Sequence, residues 1–202
     1  FRALAYQEVK QYPQALADAN KAIELRKDLD FGYYVRGKSY ELLNQYPEAL
    51  ADYTKAIELA SHMTEAYLDR GLLYYDLKEY DKALQDFNQM IRLAPSAEAY
   101  YRRGNTYYEL HNYHQALLDY TQAIELLPVA EIYYERGNTY NKLEHYEKAL
   151  QDYTQAILLD TKQSTYYVGR ANNYCDMERC SQGIADYNQA LILEPNDFFI
   201  YL

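Results

Sequence analysis

The segment Gly104–Leu126, GNTYYELHNYHQALLDYTQAIEL, carries two apolar stripes separated by a short polar break. The first stripe runs through Gly104 and Tyr107, and the second runs through Ala116 and Tyr120. Spacings of three and four residues place side chains on one face of a helix. The break leaves room only for a tight turn. This segment therefore predicts two antiparallel helices, called helix A and helix B below.

The same segment recurs along the whole chain, with a period of 33 or 34 residues. One small residue of helix B marks the period at Ala15, Ala49, Ala83, Ala116, Ala149 and Gly183. Each copy has a hydrophobic face that it cannot bury alone, so the copies must stack in a linear array. We expect one array over residues 1–202, with repeats at about 1–28 (partial), 29–62, 63–95, 96–128, 129–162 and 163–196, and the start of a further unit at 197–202. Because the first repeat is already under way at Phe1, we expect a segment of a longer protein.

A small residue and a Tyr recur in the middle of helix A. The small residues are Ala3, Gly37, Gly71, Gly104, Gly137 and Ala171, and the Tyr follows three positions later in each repeat. Gly inside a helix costs about 1 kcal/mol relative to Ala. We therefore expect these positions to lie against the backbone or side chains of helix B.

Two charged positions recur as strictly as the apolar ones. Helix A carries Arg2, Arg36, Arg70, Arg103, Arg136 and Arg170, and helix B carries Asp18, Asp52, Asp86, Asp119, Asp152 and Asp186. A charge at a packing position needs a partner, because its desolvation is unfavourable. We expect an Arg–Asp ladder, in which each Arg reaches the Asp of its own repeat or of the previous one. The alternative is that the Arg heads extend into solvent over the Tyr rings.

Together, the small residue, the Tyr three positions later, the Ala-Leu of helix B and the Pro after that helix resemble the tetratricopeptide repeat over the whole chain. The resemblance implies an all-α, right-handed superhelical solenoid whose inner groove is lined by the A helices. It also implies an interaction scaffold rather than a particular ligand. The chain departs from the family where Tyr replaces the usual Trp, at Tyr33, Tyr67, Tyr100, Tyr133, Tyr167 and Tyr201, and where the Arg series replaces the usual Leu.

On the exposed side of helix A, the groove side in this family, polar and aromatic residues vary between repeats. The candidate peptide-binding residues are Asn105, Asn138, Asn172, Tyr34, Tyr75, Tyr101, Tyr108, Tyr134, Glu98, Glu131 and Glu109. Asn offers two donors and one acceptor to a peptide backbone, and Tyr offers rigid contact area. Glu65, Asp76 and Asp176 add to the acidic rim. The alternative is that these Asn and Tyr residues follow the average repeat and say nothing about the ligand.

The charge of the chain narrows the class of partner. The net charge is -10, with 30 acidic and 20 basic residues, which argues against nucleic acid. No apolar run is long enough to span a membrane. We expect a protein or peptide with Lys or Arg, or a partner helix of that character, lying across repeats two to five.

Some members of the family clamp the C-terminal carboxylates of chaperones with a Lys at the fifth position of helix A. That position reads Tyr34, Leu68, Tyr101, Tyr134 and Val168 in this chain. The resemblance therefore does not extend to the carboxylate clamp.

No arrangement typical of catalysis or of cofactor binding is present, so we expect neither enzyme activity nor a cofactor. His111 and His114 straddle a turn without further metal ligands and predict surface histidines. Cys175 and Cys180 favour a reduced pair, and on that basis we expect a cytoplasmic protein.

Two other functions stay open: self-assembly through the exposed end repeats, for which the apolar residues 198–202 are candidates, and a targeting domain of a larger enzyme.

Overall fold

The computed structural model describes residues 2–196, and every regular element in that range is an α-helix. Phe1 and residues 197–202, including the apolar segment 198–202, lie outside the described residues. The helices are α1 (Arg2–Glu8), α2 (Tyr12–Leu25), α3 (Asp30–Leu42), α4 (Tyr46–Leu59), α5 (Thr64–Asp76), α6 (Tyr80–Leu93), α7 (Ala97–Glu109), α8 (Tyr113–Leu126), α9 (Ala130–Lys142), α10 (Tyr146–Leu159), α11 (Ser164–Asp176) and α12 (Cys180–Leu193). Odd-numbered helices are the A helices and even-numbered helices are the B helices.

The chain divides into two compact units, Phe1–Pro95 and Ser96–Leu202, called unit 1 and unit 2. Within each unit, every helix packs against the next one along the chain. No helix in residues 2–196 is long and apolar enough to cross a membrane.

Small residues allow each A helix to approach its B helix closely, as the sequence predicts. A Cβ atom added to Gly104 would lie 2.8 Å from Cε1 of Tyr120, which is closer than real Cβ contacts. Ala116 on the facing helix is fully buried, and Tyr120 is 1% exposed. The Tyr ring therefore fills the space that a side chain at Gly104 would need.

Each Arg of the ladder pairs with the Asp of its own repeat. Nε and a terminal nitrogen of Arg136 donate to the two carboxylate oxygens of Asp152 over 2.7 and 2.8 Å. The side chains are only 17% and 6% exposed. The guanidinium carbon of Arg136 also lies 5.6 Å from the ring centre of Tyr133 and 5.9 Å from that of Tyr140. Planar, bidentate pairing of this kind is what a guanidinium favours.

The same Arg also reaches the preceding B helix, but not its Asp. The other terminal nitrogen of Arg136 donates to the hydroxyl of Thr121, and Arg70 and Arg170 make the same bond to Thr54 and Thr154. Arg36 uses Asn20 in that place. Solvent-directed Arg heads, the alternative left open by the sequence, are therefore wrong: these four guanidinium groups each link the Asp of their own pair to a hydroxyl or amide of the pair before it.

The turn from helix A to helix B has a left-handed residue in every repeat, although Gly never stands there. The residues with φ near 60° are Lys10, Asn44, Lys78, His111, Glu144 and Glu178. In the turn after α9, the N–H of the following residue, His145, donates to the carbonyl of Tyr140 over 2.9 Å. This bond closes the end of helix A as in a Schellman motif.

Cys175 and Cys180 form a disulfide between the end of α11 and the start of α12. The expectation of a reduced pair is therefore wrong, because the tight turn brings the two positions to a Cα–Cα distance of 4.1 Å. The argument for a reducing compartment loses its support with it.

Candidate functional site

Three predicted Asn residues, Asn105, Asn138 and Asn172, lie at the same position of the A helices of unit 2 and are called the Asn column. Each of them accepts a hydrogen bond from a Tyr of its B helix. The hydroxyls of Tyr120 and Tyr153 donate to Oδ1 of Asn105 and Asn138, each over 2.8 Å. Tyr187 makes the same bond to Asn172 over 2.5 Å. The side-chain acceptors are thus engaged, and Nδ2 of Asn138 also donates to Glu135 over 3.2 Å, so only the remaining amide N–H bonds are left for a ligand.

The predicted Tyr residues differ in how much of the ring is accessible. Tyr101 is only 7% exposed and packs in a core with Ala116 and Ile132. Tyr108 is half-buried, with its ring centre 5.4 Å from that of Tyr113. Half-buried rings of this face also include Tyr34 and Tyr75 in unit 1 and Tyr134 in unit 2. Tyr101 therefore belongs mainly to the core of unit 2 and offers little ring surface to a ligand.

Three predicted acidic residues of unit 2, Glu98, Glu131 and Glu109, are exposed. Glu98 accepts from Nε of Arg102 over 2.7 Å, and Glu131 accepts from the hydroxyl of Tyr101 over 2.7 Å. Glu109 is exposed at the end of α7. The acidic character of this face comes from α7 and α9 together.

Glu135 is a further acid of this face that the sequence reading missed. Burial raises the pKa of its carboxyl, a hydrogen bond from Asn138 lowers it, and the nearby charges of Glu131 and Glu109 raise it again. Nδ2 of Asn138 lies 3.2 Å from the carboxylate. Among residues 2–196, no Lys or Arg forms an ion pair with Glu135. The half-buried carboxylate of Glu135 thus feels the charges of Glu131 and Glu109 and has no ion pair of its own within residues 2–196.

Four Tyr residues of unit 2 lie close enough to Glu135 for its charge to affect their hydroxyls. Burial raises the pKa of Tyr108 to about 12, and the charges of neighbouring groups, including Glu135, contribute. Burial also raises the pKa of Tyr101, Tyr134 and Tyr153, and Glu135 adds to the shift of each. These hydroxyls consequently stay protonated at neutral pH and can donate hydrogen bonds.

The corresponding face of unit 1 is also acidic, but it contains its own cation. Nζ of Lys38 lies 3.1 Å from Asp69 and 3.5 Å from Glu41. The hydroxyl of Tyr34 donates to the other oxygen of Asp69 over 2.9 Å. Asp69 and Glu41 of unit 1 therefore share a cation that belongs to the fold.

Next to Asn138 the face opens into a pocket of about 300 Å³ between α9 and α11. Gly169 lets the ring of Tyr134 pack against the α11 backbone at one side of this pocket, since a Cβ atom there would lie 2.8 Å from that ring. The amides of Asn138, Asn141 and Asn172 line it, together with Lys142. The pocket can accept a polar group that lies alongside the Asn column.

Comparing one position across the repeats reveals both Glu135 and Gly169. The residue two positions before the small residue of helix A reads Val35, Asp69, Arg102, Glu135 and Gly169. The charge and size of this residue change in every repeat, which is typical of a position that contacts a ligand and is not needed for packing. No group of three or more His, Cys, Asp or Glu side chains suited to a metal occurs in residues 2–196.

Sequence comparison supplies independent evidence on the family. Two tetratricopeptide repeat models match the chain, one at residues 37–102 and the other at residues 97–128 and 130–162. Together they cover more than half of the chain. No curated protein matched in the corresponding search of whole sequences.

Solved structures with the same fold are distant in sequence. YrrB, described as a TPR protein with an unusual peptide-binding site, is 22% identical with a TM-score of 0.76, over 91% of this chain and 95% of that one. A tetratricopeptide repeat protein from Parabacteroides merdae is 22% identical with a TM-score of 0.80, over 95% and 77%. PilF of Pseudomonas aeruginosa is 17% identical with a TM-score of 0.81, over 98% and 91%. These similarities support an all-α helical solenoid.

Proposed function

Because the chain belongs to the tetratricopeptide repeat family, a set of protein-interaction scaffolds, we propose that its unit 2 binds an extended peptide across the A helices α7, α9 and α11. The observation that carries this proposal is the half-buried Glu135, on which the charges of Glu131 and Glu109 act and with which no Lys or Arg of residues 2–196 forms an ion pair. A basic peptide would supply the missing positive charge.

The Asn column supports an extended backbone as the ligand. Asn105, Asn138 and Asn172 present amide N–H groups at equivalent points of three successive A helices. Their Oδ1 atoms are engaged by Tyr120, Tyr153 and Tyr187, which orients the amide groups. N–H groups held in this way suit the carbonyl oxygens of a peptide, whatever its side chains.

The other predicted residues take supporting roles in this proposal. Tyr108 and Tyr134 supply half-buried aromatic surface, and Glu98 belongs to an exposed pair with Arg102 at the start of α7. Tyr34 and Tyr75 lie on the equivalent face of unit 1. YrrB is described as having a peptide-binding site, which accords with a peptide ligand for this fold.

A selection from a random peptide library displayed on phage tests the class of ligand. The full chain is immobilised, and we expect the selected peptides to contain more Lys and Arg than Asp and Glu. Selection of acidic peptides would contradict the electrostatic part of the proposal. Failure to select any peptide would contradict the proposal as a whole.

A test of the role of the Asn column in binding requires variants that do not disturb the fold. Asn138→Ala alone would leave the Tyr153 hydroxyl without its acceptor, which costs about 1 kcal/mol or more. We therefore compare Tyr153→Phe with Tyr153→Phe/Asn138→Ala, since neither leaves that hydroxyl unpaired. Calorimetry with a selected peptide should show binding about fivefold weaker in the double variant. Equal affinities would favour an Asn that merely follows the average repeat.

Further parts of the functional proposal rest on the family rather than on this site. Tetratricopeptide repeat folds are generally non-catalytic, and we propose that this chain is a scaffold without enzyme activity. Self-assembly through the end repeats stays a prediction, because the apolar segment at 198–202 lies outside the described residues. A concentration-dependent mass in solution would support it. Cytoplasmic location stays a prediction as well.

A further inference from the structure

Units 1 and 2 have an acid at the same position, but they differ at the residue that faces it. Lys38 and Asn105 each follow the small residue of an A helix. Asp69 and Glu135 each lie two positions before the small residue of the next A helix. The two pairs are therefore equivalent positions of the repeat, and the chain itself provides the comparison.

In unit 1 an ammonium group occupies this place. Nζ of Lys38 lies 3.1 Å from Oδ1 of Asp69, while Tyr34 donates to Oδ2 of the same carboxylate over 2.9 Å. The side chain of Asp69 is only 12% exposed and that of Lys38 is 32% exposed. The backbone geometry of two successive A helices thus holds a primary ammonium against a partly buried carboxylate.

In unit 2 the acid is retained and the ammonium is not. Asn105 stands in the place of Lys38, and its Oδ1 is bonded to Tyr120. Glu131 corresponds to Glu65, and Tyr108 corresponds to Glu41 of unit 1. Removing the Lys leaves the half-buried carboxylate of Glu135 without an internal cation, so its negative charge is disfavoured until a proton or an external cation compensates it.

We propose that Glu135, with Glu131 and Tyr108, binds the ammonium group of a lysine side chain from a partner peptide, in the place that Lys38 occupies in unit 1. The side chain that occupies this subsite is lysine rather than arginine, because the group found at the equivalent place in unit 1 is a primary ammonium. This inference rests on the proposed peptide-binding function and names one subsite of it. The Asn column would hold the peptide backbone beside that subsite.

Small probes test the subsite without a known partner. We use Nα-acetyl-lysine N-methylamide, its norleucine analogue, which lacks the ammonium, and its arginine analogue. Two-dimensional NMR of the full chain should show the side-chain amide of Asn105 shifting with the lysine probe and not with the norleucine probe. Saturation with the arginine probe at lower concentration than with lysine would overturn the choice of lysine.

A set of variants then exchanges the two residues, Lys38 and Asn105, that distinguish the two units at this position. Asn105→Lys should supply an internal ammonium and abolish binding of the lysine probe in unit 2, while thermal unfolding shows that the fold is kept. Lys38→Asn should do the reverse and create a second site, seen as new shifts in α3 and α5. Glu135→Gln should weaken the lysine probe about tenfold or more. Glu125→Gln, an exposed acid on α8 with the same change of charge, is the matched control and should leave binding unchanged.

The outcomes separate this inference from the proposed function. If selected peptides bind unit 2 but Glu135→Gln and Asn105→Lys leave lysine binding unchanged, the subsite is wrong and the peptide-binding function stands. If neither the lysine probe nor any selected peptide binds, both are wrong. Equal weakening by Glu125→Gln would overturn the subsite, since it would show an effect of overall charge alone.

Discussion

Gly183 of α12 lies directly against the backbone of Ala171 of α11, so that a Cβ atom on Gly183 would be 2.8 Å from the carbonyl oxygen of Ala171. In the four preceding helix pairs the small residue of helix A is Gly and that of helix B is Ala. The last pair therefore has the same two residues in exchanged positions. In these five pairs one Gly is present at the close approach, and either helix can supply it.

The exchange predicts a strong coupling between these two positions. Gly183→Ala should lower the free energy of unfolding by about 1–2 kcal/mol, because the backbone contact outweighs the better helix propensity of Ala. Adding Ala171→Gly recreates the arrangement of the other pairs and should recover most of the loss. Urea unfolding of the two variants measures this. A double variant less stable than Gly183→Ala would contradict it.

Breaking one Arg–Asp pair should destabilise the fold more than breaking an exposed ion pair. Asp152→Ala leaves the partly buried guanidinium of Arg136 without its carboxylate and should lower the free energy of unfolding by about 3 kcal/mol. Arg136→Met/Asp152→Ala should be less destabilised than the sum of the single changes by about 1.5 kcal/mol or more. Urea unfolding of the four proteins provides the cycle.

The matched control for this cycle is the pair Lys21 and Glu24, whose side chains are 67% and 66% exposed. We expect a coupling of only about 0.5 kcal/mol or less for that pair. Equal couplings for the buried and exposed pairs would show that the ladder contributes no more than surface charge.

Gly at the left-handed turn positions should stabilise the protein. Glu144 has φ of 60°, a conformation that costs a side chain about 1 kcal/mol or more. Glu144→Gly should therefore raise the free energy of unfolding by about 0.5–1 kcal/mol, after the entropy cost of Gly is subtracted. Asn44→Gly is the control, since Asn tolerates this conformation and should gain less. A loss of stability in Glu144→Gly would contradict the interpretation.

Alkaline pH should destabilise the protein through its buried Tyr residues. Burial raises the pKa of Tyr53, Tyr101 and Tyr153 above the ordinary value, and it raises that of Tyr108 to about 12. Above about pH 10 the unfolded chain loses these protons while the folded chain keeps them. Stability contributed by these groups is thus complete below about pH 10 and is lost as the pH rises further.

Urea unfolding between about pH 8 and about pH 11.5 measures this loss. Tyr153→Phe should reduce the dependence on pH, and Phe is a natural occupant of this position, as Phe87 of α6 shows. Stability that stays constant over this range would contradict the prediction.

The fold could be read from the sequence because the repeat supplies several independent copies of every contact. Gly104 and Tyr107 recur at fixed spacing, and the helix pair they predict is confirmed. The Arg–Asp ladder could be predicted as a pairing but not as a choice of partner. Both candidate Asp residues are compatible with helical spacing, and the distance between stacked helices decides between them.

The candidate site was only partly accessible to sequence reasoning. The Asn column was visible because Asn recurs in three repeats. Glu135 was missed although its position changes in charge and size in every repeat, because its importance depends on which residue faces it from the preceding A helix. The disulfide of Cys175 and Cys180 was also missed, since spacing alone does not say that a turn brings two Cα atoms to 4.1 Å.

The sequence by itself determined the period, the helix pairs and the small residues that let those pairs approach, since these properties are local or repeat along the chain. Tertiary structure alone decided which charges meet. Lys38 neutralises Asp69, whereas Asn105 gives Glu135 no cation. The physical reason is that a pairing between successive A helices depends on the stacking of repeats, which brings together residues about 30 positions apart.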